Sequence, residues 1–471
     1  LTDINSVMEI LRRSPMLTVL ASLIAGLALW DKSGRGILLL VGVLLFYTAV
    51  NLCSYSWDMP GRWQTFTVGI MIALLCSWRV NAVLSVPPAP NTTLTDITGT
   101  VSSLRTWGRI YVATIDTDNG KRYAVKMQFA EMMEGTRIQF SGITQKFRDP
   151  SGGFDEAKFW NARGVTSWLN LRDVRELPEK FSLALMRYKL SRSLAIYMPT
   201  LTGEYLRAAW LGDRSDDLNK KHRQWGTSHL LAVSGFHVGI VIVIAGYIFG
   251  GNALILSLIL WTYILLTGAA PSAMRAGLMF QAGLTAKMLG RPVNGVNSIS
   301  LAGVLLLLWR PFLFWDIGFR LSVLSALTIA MMPRRKITWL ILSTVVFIVT
   351  FPQTAYTFRN VPTVGIALNI TAPYYFFIAF TAASCAAVLR LIHFPLMSYI
   401  LLAVEGGFML WEKQAEIGAS FIPMSLSWNY FTAWTGAGVF MLWTCRYFGF
   451  SYGRTLAITI AGSLAAFMIF L

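Results

Sequence analysis

His229-Leu-Leu-Ala-Val-Ser-Gly-Phe-His237 places two imidazoles and a hydroxyl at the start of an apolar run that continues to about Phe249. Polar side chains at membrane depth are costly unless they meet a partner or a water-filled cavity, so an ionisable residue there indicates a functional site. On a helix, Ser234 shares a face with His237, and His229 lies two turns from His237. The alternative is a pair of structural histidines that hydrogen-bond to neighbouring helices.

The composition around this stretch is that of a membrane protein. Of 471 residues, 55% are hydrophobic and only 13% are charged, whereas soluble chains carry roughly 25% charged residues. The net charge of +17 suits phosphates or anionic lipid headgroups, but basic loops are common in membrane proteins and alone are weak support for nucleic acid. The four cysteines have neither metal-ligand nor disulfide-framework spacing, and we expect no cofactor.

Apolar runs predict a polytopic α-helical membrane protein of about thirteen spans. Three spans belong to N-terminal transmembrane helices within 1–90, and ten to a polytopic region over 226–471. We place the spans near 16–30, 36–53, 64–84, 229–249, 253–268, 272–289, 296–309, 317–332, 337–351, 363–388, 392–408, 431–447 and 455–471. Pro352, Pro362 and Pro373 are expected to bracket or break the middle spans, and 411–417 to form a separate interfacial helix.

Residues 91–178 read instead as a soluble module. Short alternating segments predict strands over 97–104, 109–116, 122–129, 137–143 and 165–171. Asp118-Asn-Gly120, between two of them, predicts a hairpin turn. Five short strands predict an inserted small β-barrel, of which the oligonucleotide-binding (OB) barrel is the commonest, and another small β module is the alternative. Residues 179–225 then have the pattern of amphipathic interfacial helices.

Positive loop charges predict the orientation of the chain. Arg12 and Arg13 precede the first span and place the N-terminus in the cytoplasm, so three crossings leave 91–225 outside. Four later basic groups then fall on the cytoplasmic side: Lys287 with Arg291, Arg334 to Lys336, Arg390, and Arg446 with Arg454.

Pro271-Ser-Ala-Met-Arg275 forms a second polar cluster in the apolar half. Pro271 suits the first position of a helix, and an exposed helix N-terminus next to Arg275 would favour an anion. Alternatively Arg275 pairs with an acidic residue such as Glu405 or Asp316, because buried charges usually need partners.

Two further clusters follow. Asp316 and Arg320 are four residues apart on a helix and favour a salt bridge with each other. Asn360-Val-Pro362 to Asn369 sets amide groups beside proline breaks, and Asn369 either lines a pore or joins two helices.

Several of these motifs resemble the motifs of a known protein family. The stretch from His229 to Val238 closely resembles the signature segment of the ComEC family of competence proteins. Pro271-Ser-Ala-Met-Arg-Ala276 and Asp316-Ile-Gly-Phe-Arg-Leu-Ser322 look like that family's next two motifs, in the expected order. Gly153-Phe-Asp155, Phe159-Trp160 and Gly164-Val165 are similar to its segment that closes the OB-like module. The motifs span about 91–330, and hydropathy alone extends the likeness further.

The resemblance implies an inner (cytoplasmic) membrane channel of a bacterial cell that imports single-stranded DNA during natural transformation. An OB-like extracytoplasmic module would receive the DNA, and the polytopic competence domain over 226–471 would pass one strand inward. Many members add a C-terminal metallo-β-lactamase-like domain. This chain has no His-x-His-x-Asp-His run before Leu471, so either this member lacks the domain and a separate nuclease does that work, or the chain is truncated.

The chemistry of the residues is compatible with that function. Single strands bind where bases stack on aromatic rings and phosphates follow a basic groove. The candidate DNA-binding residues of the module are Trp107, Arg109, Tyr111, Lys121, Arg122, Tyr123, Lys126, Lys146 and Arg148, with Phe147 between the last two. Because side chains alternate along a strand, some of these must point into the core. An ordinary solvated basic face is the alternative. The candidate channel residues are His229, Ser234, His237, Arg275, Asp316, Arg320 and Asn369.

Two other functions stay open at this point. Ser234 with His237 or His229 as base would make an intramembrane serine hydrolase, although the Gly-x-Ser-x-Gly elbow is absent because Ala232 replaces its first glycine. A small-anion or metal transporter would use His222, His229, His237 and Arg275, although no carboxylate or thiol accompanies the histidines. No phosphate-binding loop is present, so the channel hypothesis needs a cytoplasmic ATPase that pulls DNA, besides membrane lipid and a periplasmic or surface DNA receptor.

Overall fold

The structure is a computed structural model. It describes residues 91–107, 110–128, 132–148, 155–332, 339–358, 360–390, 397–422 and 425–427, with separate positions between 16 and 27, 78 and 84, and 438 and 442. The predicted spans at 36–53 and 455–471 lie outside these residues. The chain divides into two compact units: one comprises 86–277 and 371–421, and the other comprises 1–85, 278–370 and 422–471.

The first unit begins with a closed five-strand barrel. Its strands are β1 (Thr93–Trp107), β2 (Ile110–Thr117), β3 (Arg122–Met127), β4 (Arg137–Gln145) and β5 (Ser167–Glu176). The order around the barrel is β1-β2-β3-β5-β4, in which β3 and β5 are parallel and the other described pairs are antiparallel. The predicted small β-barrel is therefore confirmed. Its predicted hairpin turn is confirmed too: Gly120 adopts φ 75° and donates to the carbonyl of Thr117 at 2.9 Å.

Strand alternation creates the core of the barrel. Val101, Ile115, Ile138 and Phe140 point inward and are buried, and each such side chain contributes roughly 1.5–3 kcal/mol by leaving water. A second buried cluster contains Trp160 of the short helix α1 (Glu156–Asn161) and the barrel residues Val112, Ala124, Val165 and Trp168.

Helices make up the rest of the first unit. They are α2 (Leu183–Tyr197), α3 (Thr200–Leu211), α4 (Asp216–Gln224), α5 (Ser228–Leu231), α6 (Gly235–Ile248), α7 (Ala253–Leu266), the start of α8 (Pro271–Met288), the end of α12 (Val364–Arg390) and α13 (Met397–Phe421). Helices therefore occupy 183–224, as the amphipathic pattern predicts.

Arg187 of α2 connects the barrel to these helices. Its Nη1 lies 3.4 Å from a carboxylate oxygen of Glu134, which precedes β4, and its Nη2 donates to the carbonyl of Leu211 at the end of α3 at 2.9 Å. Gly268 leaves room for the guanidinium: a Cβ there would lie 2.8 Å from Nη1, and φ is +74°. Gly135 allows similarly close packing, because a Cβ there would lie 2.4 Å from the Cα of Leu185.

The second unit contains α9 (Gly295–Trp309), a 3₁₀ turn (Pro311–Trp315), α10 (Ile317–Met331), α11 (Trp339–Phe358) and the start of α12. Strands β6 (Asn360–Pro362) and β7 (Ser425–Ser427) pair there as a short antiparallel ribbon, a feature not expected from the proline pattern. Leu20, in the predicted first span, packs where Gly303 of α9 has no side chain.

The structure corrects the predicted helix ends in three places. The 229–249 span is two helices, because the chain is extended at Ala232 and Ser234 between α5 and α6. Pro352 and Pro373 lie inside α11 and α12 and do not break them; neighbouring helices and hydroxyl side chains can satisfy the backbone groups freed by proline in apolar surroundings. Residues 411–417 continue α13.

Helix length and hydropathy only partly match the predicted spans. Among the described residues, α11 from Leu340 to Phe358 and the whole of α12 are long and apolar enough to cross a bilayer, while α6, α7, α9 and α10 are apolar but shorter. The number thirteen stays a prediction.

Candidate functional site

The N-terminus of α6 is built by the residues that the opening motif supplies. Ser234 is the N-cap in an extended conformation, and its Oγ accepts a hydrogen bond from the backbone N of Phe236 at 3.2 Å. Nδ1 of His237 accepts from the backbone N of Ser234 at 3.3 Å. This reciprocal arrangement is a capping box in which His237 takes the place usually held by Glu or Gln. The predicted neighbours Ser234 and His237 do meet, around a helix start.

The cap determines the chemistry of His237. Because Nδ1 accepts a hydrogen bond, the neutral ring carries its proton on Nε2. The side chain is only 3% exposed, and Nε2 has no hydrogen-bond partner among the described residues. The ring of Phe380, whose centroid lies 4.9 Å away, packs against it edge-on. Nε2 of His237 is therefore a buried atom without an acceptor among the described residues, although the ring also interacts with the backbone of Ala232.

Arg275 lies close to this helix start. Helix α8 begins at Pro271, as predicted, and Ser272 Oγ donates to the carbonyl of Val233 at 2.5 Å, which ties α8 to the link before α6. Arg275 is 7% exposed, and its Nε and Nη1 have no partner in the part of the chain that the structure describes. A Cβ added at Gly235, the first residue of α6, would lie 3.9 Å from Nη2 of Arg275.

The carboxylate of Glu405 binds the start of α3 and not Arg275. Its oxygens accept from the backbone N of Leu201 at 3.0 Å, and from the backbone N and Oγ1 of Thr202 at 2.8 and 2.7 Å. Among the described carboxylates of its own unit, no ion pair with Arg275 is found. The alternative in which Arg275 pairs with Glu405 is thus wrong, and a pairing with Asp316 stays a prediction.

His229 and His222 lie apart from His237. The extended residues between α5 and α6 remove the predicted two-turn spacing, and His229 is exposed on α5. His222 of α4 is buried: its Nε2 contacts the hydroxyl of Tyr205 at 2.8 Å and its Nδ1 contacts Thr227 Oγ1 at 2.9 Å. Burial lowers the pKa of His222 to about 3. Within the described ranges no three His, Cys, Asp or Glu side chains form a metal-binding group.

The remaining candidate channel residues belong to the second unit. Asp316 is the N-cap of α10, where Oδ1 accepts from the backbone N of Phe319 at 2.9 Å. Arg320 Nη2 reaches the carbonyl of Trp315 at 3.5 Å. Oδ1 of Asn369 is buried and has no hydrogen-bond partner among the described residues. The Asp316–Arg320 salt bridge and a passage shared with Arg275 stay predictions.

The barrel sorts the candidate DNA-binding residues by exposure. Tyr123 is only 4% exposed in the barrel core, which removes it from the candidate surface because its position alternates inward. Tyr111 packs partly against the same core, and Arg122 is engaged by Asp116. The exposed members are Lys121, Lys126, Lys146 and Arg148. Arg109 and the side chain of Trp107 lie outside the described residues.

The structure adds one aromatic ring, Trp168, that sequence reasoning missed. Nζ of Lys126 lies 3.9 Å from the ring centroid of Trp168 and 4.0 Å from a carboxylate oxygen of Glu156, and Phe147 meets Trp168 edge-on at 6.1 Å. Lys146 lies next to them because the preceding residue, Gln145, is paired with Trp168. We call Lys126, Lys146, Phe147, Arg148 and Trp168 the cation–aromatic cluster. The sequence signal that could have indicated this ring is Trp168 itself, an aromatic residue in a predicted strand.

Among the described residues, the fold combines a small β-barrel with apolar helices, two of which are long enough to cross a bilayer, and it has unpaired buried donors at the start of an apolar helix. A family model described as Competence protein matches residues 210–451, and the chain belongs to that family. This confirms the resemblance seen in the sequence motifs.

One curated relative is ComE operon protein 3 of Bacillus subtilis (strain 168). The chain is 29% identical to it over 251 residues, which are 49% of this chain and 32% of the relative. The matched part therefore spans about a third of that relative's length. No solved structure matches the chain.

Proposed function

We propose that this protein is an inner-membrane channel that imports single-stranded DNA into the cytoplasm during natural transformation. Membership of the Competence protein family and the similarity to ComE operon protein 3 support a role in DNA uptake. The observation that carries the DNA assignment is the cation–aromatic cluster on the barrel. Exposed Lys146 and Arg148, with Lys126 nearby, offer cations for phosphates, and the half-buried Phe147 offers a ring for a base, which is the chemistry of sequence-tolerant single-strand binding. Trp168 is only 5% exposed and supports Lys126 and Phe147 from the barrel core.

The direction of transport follows from the proposed topology. The N-terminus lies in the cytoplasm, and the OB-like module lies outside, where it meets incoming DNA. The helices of 226–471 then carry one strand inward past polar side chains that donate hydrogen bonds without holding the strand tightly.

The proposed channel depends on partners for energy and for strand separation. These 471 residues contain no phosphate-binding loop of the Gly-x-x-x-x-Gly-Lys-Ser/Thr type, so a cytoplasmic ATPase pulls the strand. A receptor outside the membrane delivers DNA, and a separate nuclease removes the complementary strand.

Deletion of the gene tests the proposal when uptake is separated from recombination. We expect deletion to abolish transformation by added linear DNA, and a plasmid-borne copy of the full chain to restore it. The same donor DNA delivered by electroporation should recombine at the wild-type frequency, because that route bypasses the channel. Normal transformation of the deletion strain, or an equal loss by both routes, would contradict the proposal.

The intramembrane serine hydrolase is the second candidate, and one contact favours it. Ser234 Oγ lies 3.2 Å from Nδ1 of His237. However, that same nitrogen accepts from the backbone N of Ser234, and Nε2 has no partner to orient the ring among the described residues. A nucleophile–base pair needs such an orienting group, so the contact is better explained as a helix cap.

A further inference from the structure

The start of α6 collects buried hydrogen-bond donors that lack acceptors. Nε2 of His237 and both Nε and Nη1 of Arg275 are buried without partners among the described residues. Arg275 also extends toward Gly235, the first residue of the helix. A buried donor left unpaired destabilises the fold, more so when it is charged, so the unpaired nitrogens of His237 and Arg275 around this helix start indicate missing acceptors.

The charges at the start of α6 are positive. The N-terminus of a helix behaves as roughly half a positive charge, and α6 has 14 residues. Arg275 adds a full positive charge there. Two buried acidic residues of the same unit are committed elsewhere: Glu405 binds the start of α3, and Glu412 binds Lys221 at 2.9 Å. Neither of them neutralises Arg275.

The donor set restricts the chemistry of the ligand. All three unpaired groups are N–H donors, because His237 already uses Nδ1 as an acceptor. A ligand with only acceptor atoms satisfies them, and a tetrahedral phosphate offers two oxygens to the planar fork of an arginine. The contact between Ser272 and Val233 fixes the start of α8 against the link before α6, which directs Arg275 to the site.

We propose that Arg275, His237 and the N-terminus of α6 form a binding site for one phosphodiester group of the DNA strand; this rests on the proposed function. A phosphodiester carries a single negative charge, which neutralises Arg275 while it is bound. Each phosphate that arrives replaces the previous one, so the site binds without retaining the strand.

Dimethyl phosphate is the minimal probe, because it has the phosphodiester charge and shape but no base that could stack on the barrel. The full chain, purified in detergent, is titrated with the probe while its thermal unfolding is followed. The neutral analogue dimethyl methylphosphonate and potassium chloride serve as ligand controls. We expect dimethyl phosphate alone to stabilise the wild type, and Arg275→Gln to raise the apparent Kd about tenfold or more.

Matched variants separate the site from general charge. Lys287→Gln removes one exposed charge from the far end of α8 and should leave the apparent Kd unchanged. Arg275→Lys should bind more weakly than the wild type but better than Arg275→Gln, because it keeps the charge and loses the fork. The double variant Arg172→Gln and Arg175→Gln, at exposed positions of the barrel strand β5, should bind the probe normally.

Several outcomes would overturn the site. Equal stabilisation by chloride, an unchanged Kd in Arg275→Gln, or dependence on the two barrel residues would each do so. An Arg275-dependent stabilisation by phosphatidylglycerol nanodiscs over phosphatidylcholine nanodiscs, without one by dimethyl phosphate, would assign the site to lipid. If the probe fails to bind while the gene deletion still abolishes uptake, the proposed phosphate site is wrong and the proposed function is retained.

Discussion

Two helix N-termini in the same compact unit differ in how their hydrogen-bond donors and positive charge are satisfied. The start of α3 has Pro199 as its N-cap, which offers no side-chain hydrogen bond, and Glu405 of α13 supplies three acceptor contacts instead. The start of α6 caps itself through Ser234 and His237, and it is then approached by the cation Arg275. The first N-terminus is complete within the chain, whereas the second has surplus donors and surplus positive charge.

The difference distinguishes structural from functional buried polar residues. A buried carboxylate that accepts three hydrogen bonds from a helix start stabilises the fold. A buried guanidinium without an acceptor destabilises the fold. Such a group is expected where a ligand supplies the acceptor on binding. By this criterion Glu405 holds helices together, whereas Arg275 has the properties expected of a ligand-binding residue.

Glu405→Ala should have the largest effect on stability. Removing the carboxylate leaves the start of α3 unsatisfied, and we expect the free energy of unfolding to fall by about 3 kcal/mol, since each hydrogen bond to a charged group contributes roughly 1.5–3 kcal/mol. Thermal unfolding in detergent measures the change. Glu405→Gln is the matched control, because its amide oxygen still accepts and should recover part of the loss. An unaltered Glu405→Ala protein would remove the contrast between the two helix starts.

His222 makes stability depend on pH. Its pKa is lowered to about 3 by burial, against about 6.5 in the unfolded chain. The neutral ring therefore contributes stability that is complete above about pH 6.5 and is lost as pH falls toward about 3. At pH 5, we expect a loss of about 2 kcal/mol relative to pH 7.5.

Unfolding at several pH values checks this dependence. His222→Gln should be less stable than the wild type at pH 7.5 but should lose less between pH 7.5 and pH 5. The same pH slope in both proteins would show that another group carries the effect.

The cation–aromatic cluster predicts a smaller effect, on DNA affinity. Lys146→Gln with Arg148→Gln should weaken binding of a short oligothymidine to the full chain by about tenfold at low salt, and should reduce the slope of log affinity against log salt by about 1.4, or 0.7 per phosphate contact. The measurement is fluorescence anisotropy. Arg172→Gln with Arg175→Gln removes the same charge from exposed positions further along β5. Equal losses in the two double variants would indicate a diffuse charge effect and contradict the cluster.

Ser234→Ala should have the smallest effect. Loss of an N-cap costs about 1 kcal/mol, and His237 still accepts from the backbone of residue 234. We expect transformation to stay within about threefold of the wild type, because the hydroxyl has no covalent role in a channel. A loss as complete as that of the gene deletion, in a protein present at normal level, would favour the hydrolase.

Local patterns predicted the barrel well and the site only in part. Alternation and the turn at Asp118-Asn-Gly120 are short-range signals, so they located the five strands. The break before α6 was missed because Ala232 and Val233 suit a helix, and a capping box with His237 at the Glu position is easily overlooked. The bond between Glu405 and Thr202 joins residues 203 apart in the chain, and no periodicity reports such a contact.

The resemblance to the family indicated the polar residues but not their partners. Arg275 was found because a cation interrupts an apolar run, yet the sequence left open whether Glu405 neutralises it. Only the geometry separates those two cases. Tyr123 of the barrel shows the same limit of sequence-based prediction. Side chains alternate between the two faces of a strand, but the sequence did not tell which rings face the core.

The decisive measurement for the phosphate site at the start of α6 is the transformation frequency of cells that carry Arg275→Gln, with membrane level and thermal stability verified. We expect a protein at least as stable as the wild type and a fall in transformation of about a hundredfold, equivalent to about 2.7 kcal/mol, with partial recovery in Arg275→Lys. Transformation by Arg275→Gln at the wild-type frequency, in a protein that folds normally, would contradict the proposed phosphate site.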